Sequence, residues 1–294
     1  MSVTVQQQPA LVERGVPTLR RRVWWLSRSR LVSFGGAIVV VLVLLTLLAP
    51  IVASYDPTTM DTSAPLKGPG AAHLFGTDNF GRDVFSRTLY GYRASLFAAL
   101  GSVAVAVVIG VPLGLVAGYL GMFVDNLIMR AMDVLLAFPA ILWVIGLVSV
   151  LGTSTAVLAL GIGVIYVPIL ARVMRGSTLA VKQEVFVDSA RALGARETAI
   201  MLRHVLPNAI SPVLVQTSIL MGIAILIEAA LSFIGLGTQP PDPSLGLMLS
   251  DGRGIMQEAP WVVVFPGLAI VAAVLGFNLL GDGLRDLLDP RSHA

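Results

Sequence analysis

Residues 172–207 read RVMRGSTLAVKQEVFVDSARALGARETAIMLRHVLP and interrupt a chain that is otherwise strongly apolar. The stretch carries six basic residues, Arg172, Arg175, Lys182, Arg191, Arg196 and Arg203, against the acids Glu184, Asp188 and Glu197. Apolar runs long enough to cross a bilayer flank it, and a bilayer core needs about 20 such residues per helix. The pattern predicts an all-α, polytopic membrane protein with a compact helical unit held on one side of the membrane.

Working outward, the composition agrees. The 294 residues are 56% hydrophobic and 13% charged, with a mean hydropathy of +0.85. Soluble domains carry roughly 25% charged residues. No alternation of apolar and polar residues supports a transmembrane barrel. The chain lacks Cys, which excludes disulfides, thiolate metal sites and cysteine nucleophiles. Its three His residues, His73, His204 and His293, lack ligand-like spacing. The basic pI reads as topology rather than as nucleic-acid binding, because clustered Arg and Lys mark cytoplasmic loops.

Counting runs gives six spans. Residues 1–30 form a basic segment with Arg20, Arg21, Arg22, Arg28 and Arg30 near its end, placing the N-terminus in the cytoplasm. The first run, residues 31–53, is too long for a signal peptide and for a twin-arginine export signal. Residues 54–92 form an extracytoplasmic excursion rich in Pro, Gly and Asp, and residues 93–283 form a five-helix core. Within that core the runs are Ala94–Ala117, Leu127–Leu151, Ala156–Leu170, Ile210–Gly235 and Trp261–Leu280. The count returns 172–207 to the cytoplasm, in agreement with its basic excess, and residues 284–294 form a cytoplasmic tail. A multi-pass protein of the cell membrane, with both termini inside, is expected.

The 172–207 stretch predicts a helix over 183–193, where Glu184, Asp188 and Arg191 share a face. Phe186, Ser189, Ala190 and Leu193 fall beside them. Gly194 suits a left-handed helix end, a second helix runs from Arg196 to Val205, and Pro207 marks the return to the membrane. A plain basic loop that binds anionic lipid would need neither the aromatic and small residues nor the Gly turn. A helical unit with such a face suits insertion into a groove of another protein.

These residues resemble the EAA signature of importer permeases of the ABC class, with Asp188-Ser189-Ala190, then Gly194, then Leu206-Pro207. Asp188 replaces the usual Glu, Ser189 the usual Ala, and His204 stands where many relatives have Ile. Ala190-Arg191-Ala192-Leu193-Gly194 and Arg203-His204-Val205-Leu206-Pro207-Asn208 are similar to the dipeptide, oligopeptide and nickel branch. So are Gly76-Thr77-Asp78 with Gly81-Arg82-Asp83, and the stretch from Glu228 to Gly237. The resemblance implies a type I importer permease architecture and a coupling loop, 183–207, that docks into an ATPase. It also implies the partners: a second, homologous permease, two cytoplasmic ATPase subunits or domains, an extracytoplasmic substrate-binding protein and membrane lipid. ATP and Mg would lie in the ATPases, and this chain would hold no cofactor. Di- or oligopeptides are the expected substrates, with nickel or another small solute as the alternative. An ion-driven secondary transporter and a membrane enzyme are the other readings.

The sequence offers no catalytic set. It has no G-x-x-x-x-G-K-[ST] phosphate loop, H-E-x-x-H or G-x-S-x-G. Asp78, Arg82, Asp83 and Arg87 are expected to form a self-satisfied polar fold outside the membrane, or else to contact the binding protein. Intramembrane ionisable residues are costly. Glu228, roughly 30 Å along its helix from Asn208, is expected at the outer interface as a snorkelling or hydrogen-bonded acid. Asp133 lies three residues after Arg130 and is expected to pair with it.

Overall fold

The structure, a computed structural model, describes residues 30–288, with Arg30 by its backbone alone. The basic N-terminal segment and residues 289–294 of the expected tail lie outside the described residues. The order is α1 (Arg30–Leu47), α2 (Ala49–Val52), α3 (Val84–Leu120), α4 (Met122–Ala137), α5 (Ala140–Leu151), α6 (Thr155–Val181), α7 (Val185–Ala192), α8 (Glu197–Ile200), a π-helical turn (Met201–Val205), α9 (Leu206–Ala209), α10 (Ser211–Phe233), α11 (Leu245–Gly252) and α12 (Trp261–Leu288). No strand occurs among the described residues. Long apolar runs become helices because a helix bonds all its backbone polar groups internally, which lipid requires.

Four helices, α3, α6, α10 and α12, are long and apolar enough to cross a bilayer. The expected single span Leu127–Leu151 is instead a pair, α4 and α5, bent by 82°. Phe138 and Pro139 explain the break. Proline cannot donate the next helical hydrogen bond, and it pushes its predecessor out of the helical region. Phe138 accordingly takes φ −93°, ψ 140°. The pair supplies a fifth crossing if both halves count as one, and the apolar part of α1, Leu31–Leu47, is shorter.

Two boundaries move outward from the hydropathic runs. α3 begins ten residues before Ala94, because Asp83 caps it by accepting from the Ser86 backbone N–H. α6 runs on through Arg172 and Arg175 to Val181, so the expected loop 172–207 starts as helix. Arg172 and Arg175 pair sideways with Asp133 at 2.6 Å and Asp125 at 2.5 Å on α4.

The tightest seam joins α3 to α6. A Cβ on Gly110 would lie 2.7 Å from the Val167 carbonyl oxygen, and one on Gly118 would lie 2.8 Å from that of Arg175. Gly114, between them, lies against the Ala171 carbonyl. Small residues at this four-residue spacing let membrane helices approach backbone to backbone. α1 packs on α12 in the same manner, with Gly35 against Leu279 and Leu280 and Gly283 against Val32. α10 lies against α3, α6 and α12, and the buried side chains of α3, α6 and α10 share one core with those of the α7–α9 hairpin. Outward-facing Val40, Val108, Val150 and Val271 leave an apolar exterior suited to lipid.

Candidate functional site

The hairpin from Glu184 to Ala209 is built on short signals. Glu184, extended at φ −75°, ψ 142°, precedes the first turn of α7. At the far end the Gly194 N–H donates to the Arg191 carbonyl and the Ala195 N–H to the Ala190 carbonyl. This paired closure needs a left-handed residue, and Gly194 supplies it at φ +80°. The expected second helix, Arg196 to Val205, is realised as one turn of α8 followed by the π turn. Pro207 accounts for the widened turn, since it cannot bond the Arg203 carbonyl. The Asn208 side chain donates to the neighbouring His204 carbonyl at 2.6 Å.

The hairpin has two faces. Val187, Ile200 and Val205 are buried and join the core containing Tyr119 and Met174, with Ala190 and Ala195 packed against it. The opposite edge is apolar and exposed: Val185 at 79%, Phe186 at 41% and Leu193 at 88%. Ser189 stands exposed on this edge, its hydroxyl bonded to the Val185 carbonyl. Glu184, His204 and Pro207 are exposed. Arg191 links Asp188 at 3.0 Å with Glu197 at 2.9 Å. The Arg191 guanidinium, and after it the Tyr119 hydroxyl, hold the Glu197 carboxyl below its ordinary range. Glu197 in turn raises Arg191. Sequence reasoning passed over Val185, Val187, Tyr119 and Glu197. The i, i+3 pairing of Val187 with Ala190 was the available signal for the inward face.

Asp78, Arg82, Asp83 and Arg87 converge in one buried cluster just before α3 and in its first turn. Asp78 accepts from the Phe80 and Arg82 N–H groups with Oδ1, and from Arg82 Nε at 2.6 Å with Oδ2. Arg87 lies 3.7 Å from the same Oδ2 and donates to the Pro57 carbonyl at 3.0 Å. Asp83 accepts from the Ser86 N–H and hydroxyl, and its Oδ1 lies 3.0 Å from His73 Nδ1. Arg82 also reaches Asp251 of α11 at 3.7 Å. Burial raises the Asp251 carboxyl, against the pull of Arg82 and Arg87.

One expectation about charges in the spans is narrowed and another is corrected. Of the two readings of Glu228, the hydrogen-bonded acid holds and the snorkelling one does not. Glu228 is fully buried between α3 and α10, accepting 2.6 Å hydrogen bonds from Ser95 and Ser232. Asp133 pairs with Arg172 of α6, not with Arg130. An acid placed three or four residues after a base is the weaker order within a helix, and Arg172 approaches from across the α4–α6 contact. Among the described residues, no group of three His, Cys, Asp or Glu is placed to hold a metal.

Comparison with known proteins bears on this arrangement. Residues 110–293 match the family model for the binding-protein-dependent transport system inner membrane component. Residues 18–69 match the model for the N-terminal TM domain of oligopeptide transport permease C. The chain is 44% identical over 266 residues to a dipeptide transport system permease protein of Alkalihalophilus pseudofirmus, covering 90% of this chain and 88% of that one. It is 42% identical over 285 residues to a glutathione transport system permease protein of Pectobacterium atrosepticum, covering 96% and 95%. A probable D,D-dipeptide transport system permease protein of Escherichia coli is 42% identical over 270 residues, covering 92% and 91%.

Proposed function

The chain belongs to the inner membrane components of binding-protein-dependent transport systems, and from that premise we propose that it forms half of a pore for di- or oligopeptides and takes its power stroke through the α7–α8 hairpin. It is a non-catalytic membrane subunit of an ABC importer, so nucleotide hydrolysis falls to partner ATPases. The relatives named for dipeptide, glutathione and D,D-dipeptide transport support the substrate class. We assign six crossings: α1, α3, the α4–α5 pair, α6, α10 and α12. Both termini and the hairpin then face the cytoplasm, and the Asp78–Arg87 cluster faces outward. One related permease, two ATPase subunits and an external binding protein complete the assembly.

The observation that carries this reading is the exposed edge of Val185, Phe186 and Leu193 on a hairpin pinned from beneath by Val187, Ile200 and Val205. An apolar edge on a fixed support suits a groove in a soluble partner. Glu184, Asp188, Ser189, His204 and Pro207 border that edge in the proposed docking role, and Ala190, Arg191 and Gly194 set its orientation. The nucleotide state of the ATPases would bias two arrangements of this element, as coupled transport requires. Asp78, Arg82, Asp83 and Arg87 shape the outer segment, and Glu228 fastens α3 to α10.

Reconstitution with the partner ATPases and binding protein tests the reading. Labelled dipeptide should accumulate only with ATP, and the ATPases should co-purify with this chain. Uptake that persisted with ATP depleted and an ion gradient intact would sink it. Gly194→Val should weaken ATPase co-purification while membrane insertion stays intact. The cause is backbone alone, because a Cβ there meets nothing within 4 Å but the φ of +80° disfavours a β-branched residue.

A further inference from the structure

A side-chain hydrogen bond that the docking role does not use ties the hairpin to α3. Glu197, the first residue of α8, accepts from the Tyr119 hydroxyl in the last turn of α3. Its other oxygen accepts from Arg191 Nε at 2.9 Å, in the last turn of α7. Arg191 Nη1 in turn donates to Asp188 at 3.0 Å. Lys182, just past α6, donates to the Tyr119 carbonyl at 2.6 Å and lies 5.4 Å from its ring centroid. Arg191 also interacts with the Tyr119 hydroxyl, the Ser189 and Asp188 bonds stay within the hairpin, and Ser177 of α6 donates to the Ala209 carbonyl at the hairpin's end.

Resting on the coupling role proposed above, we infer that Glu197 is a positioning residue that converts displacement of α7 into displacement of α3, through Tyr119. Tyr119 is buried and cannot yield independently of its helix. Its helix cannot slide on α6, because the Gly110, Gly114 and Gly118 seam locks backbone against backbone. A pull on the Tyr119 hydroxyl therefore moves α3 and α6 together. At the far end of α3, the Ser95 bond to Glu228 passes the motion to α10.

Stability is a poor explanation for the arrangement. The Glu197 and Arg191 side chains are 55% and 42% exposed, and exposed ion pairs contribute little to folding. Val187, Ile200 and Val205 already seat the hairpin by burial. What the carboxylate adds is direction: two bonds from two helices meet on one group.

The experiment uses the complete transporter in proteoliposomes and reads labelled dipeptide moved per ATP hydrolysed. ATPase association and the thermal midpoint of the assembly are read in parallel. Glu197→Gln and Tyr119→Phe should each lower the ratio about fivefold or more, the lower end of ordinary coupling energies. Association should stay at the unmodified value, and at neutral pH the midpoint should fall by no more than an exposed ion pair contributes. The double variant should fall no further than either single one, because both remove the same link. Glu197→Asp, which keeps the charge, should recover part of the ratio. An unchanged ratio in both single variants overturns the inference, and so does a loss that only tracks loss of assembled complex. Additive losses would also overturn it. Absence of ATP-driven dipeptide uptake by the unmodified transporter is a different result, which removes the coupling reading itself.

Discussion

The segment before α3 and the hairpin after α6 both gather acids and bases, yet they treat them in opposite ways. Asp78, Arg82, Asp83 and Arg87 have side chains no more than 6% exposed, whereas Asp188, Glu197 and Arg191 are 70%, 55% and 42% exposed. Around the first cluster the aromatic residues also turn inward: Phe75 stacks on Phe265 at 3.9 Å, and Trp261 donates to the Thr77 carbonyl. On the hairpin, Phe186 and Leu193 turn outward. A buried, mutually paired charge set specifies one shape. An exposed set on a firmly seated hairpin stays open to a partner.

The comparison can be broken most forcefully at Asp78. Removing one partner of a buried ion pair costs about 3–5 kcal/mol, because the remaining charge stays buried. Asp78→Ala leaves both Arg82 and Arg87 without their shared carboxylate. The expected result is a sharply lower thermal midpoint or loss of folded chain, read by size-exclusion fluorescence in detergent. A midpoint close to that of the unmodified chain would mean the cluster is not the shaping element described.

Acid titration sharpens the contrast, because the two regions shift in opposite directions. Glu197 is held below its ordinary 4.5 by Arg191 and Tyr119. A depressed carboxyl contributes stability that is present above the ordinary value and is lost as pH falls through the depressed one. Asp251 is raised above 3.8 by burial. Its contribution is fully present below the ordinary value and fades as pH rises through the raised one. Glu197→Gln should therefore remove part of the acid-side loss of stability, and Asp251→Asn part of the loss on moving toward neutrality. Thermal midpoints of the two variants across the acid range check both signs, and shifts in the same direction would undo the contrast.

The legible parts of the fold are those that local chemistry determines. Apolar runs located α3, α6, α10 and α12, and Gly194 located the end of α7 within two residues. Hydropathy is blind to proline, so the Phe138-Pro139 break inside an apolar run escaped it. It also misreads helix ends that carry paired charges, since Arg172 and Arg175 look like loop until Asp133 and Asp125 are seen beside them. The Tyr119–Glu197 contact spans 78 residues, and no periodicity in either segment announces it. The docking edge was half legible. Phe186, Ser189 and Leu193 were marked by their residue types, while Val185 was not.

The smallest expected effect falls on Asp188, and its smallness is informative. Its side chain is 70% exposed and pairs three residues along the helix with Arg191 at 3.0 Å. Such a pair contributes about 0–1 kcal/mol, and Arg191 keeps Glu197 as a second partner. Asp188→Ala should leave the thermal midpoint within error of the unmodified chain. Phe186→Ala should be equally silent in stability, because that ring is not part of the buried core. The two variants should separate in titrations of detergent-solubilised chain with its ATPases. Losing the Phe186 ring removes apolar area from the docking edge at about 25 cal/mol per Å², so affinity should drop about tenfold for each 1.4 kcal/mol removed. Asp188→Ala should cost less, since a rim charge chiefly tunes encounter rate and salt dependence. The reverse ranking would place the docking energy in the acid that stands at the signature's first position, and would make the exposed apolar edge incidental.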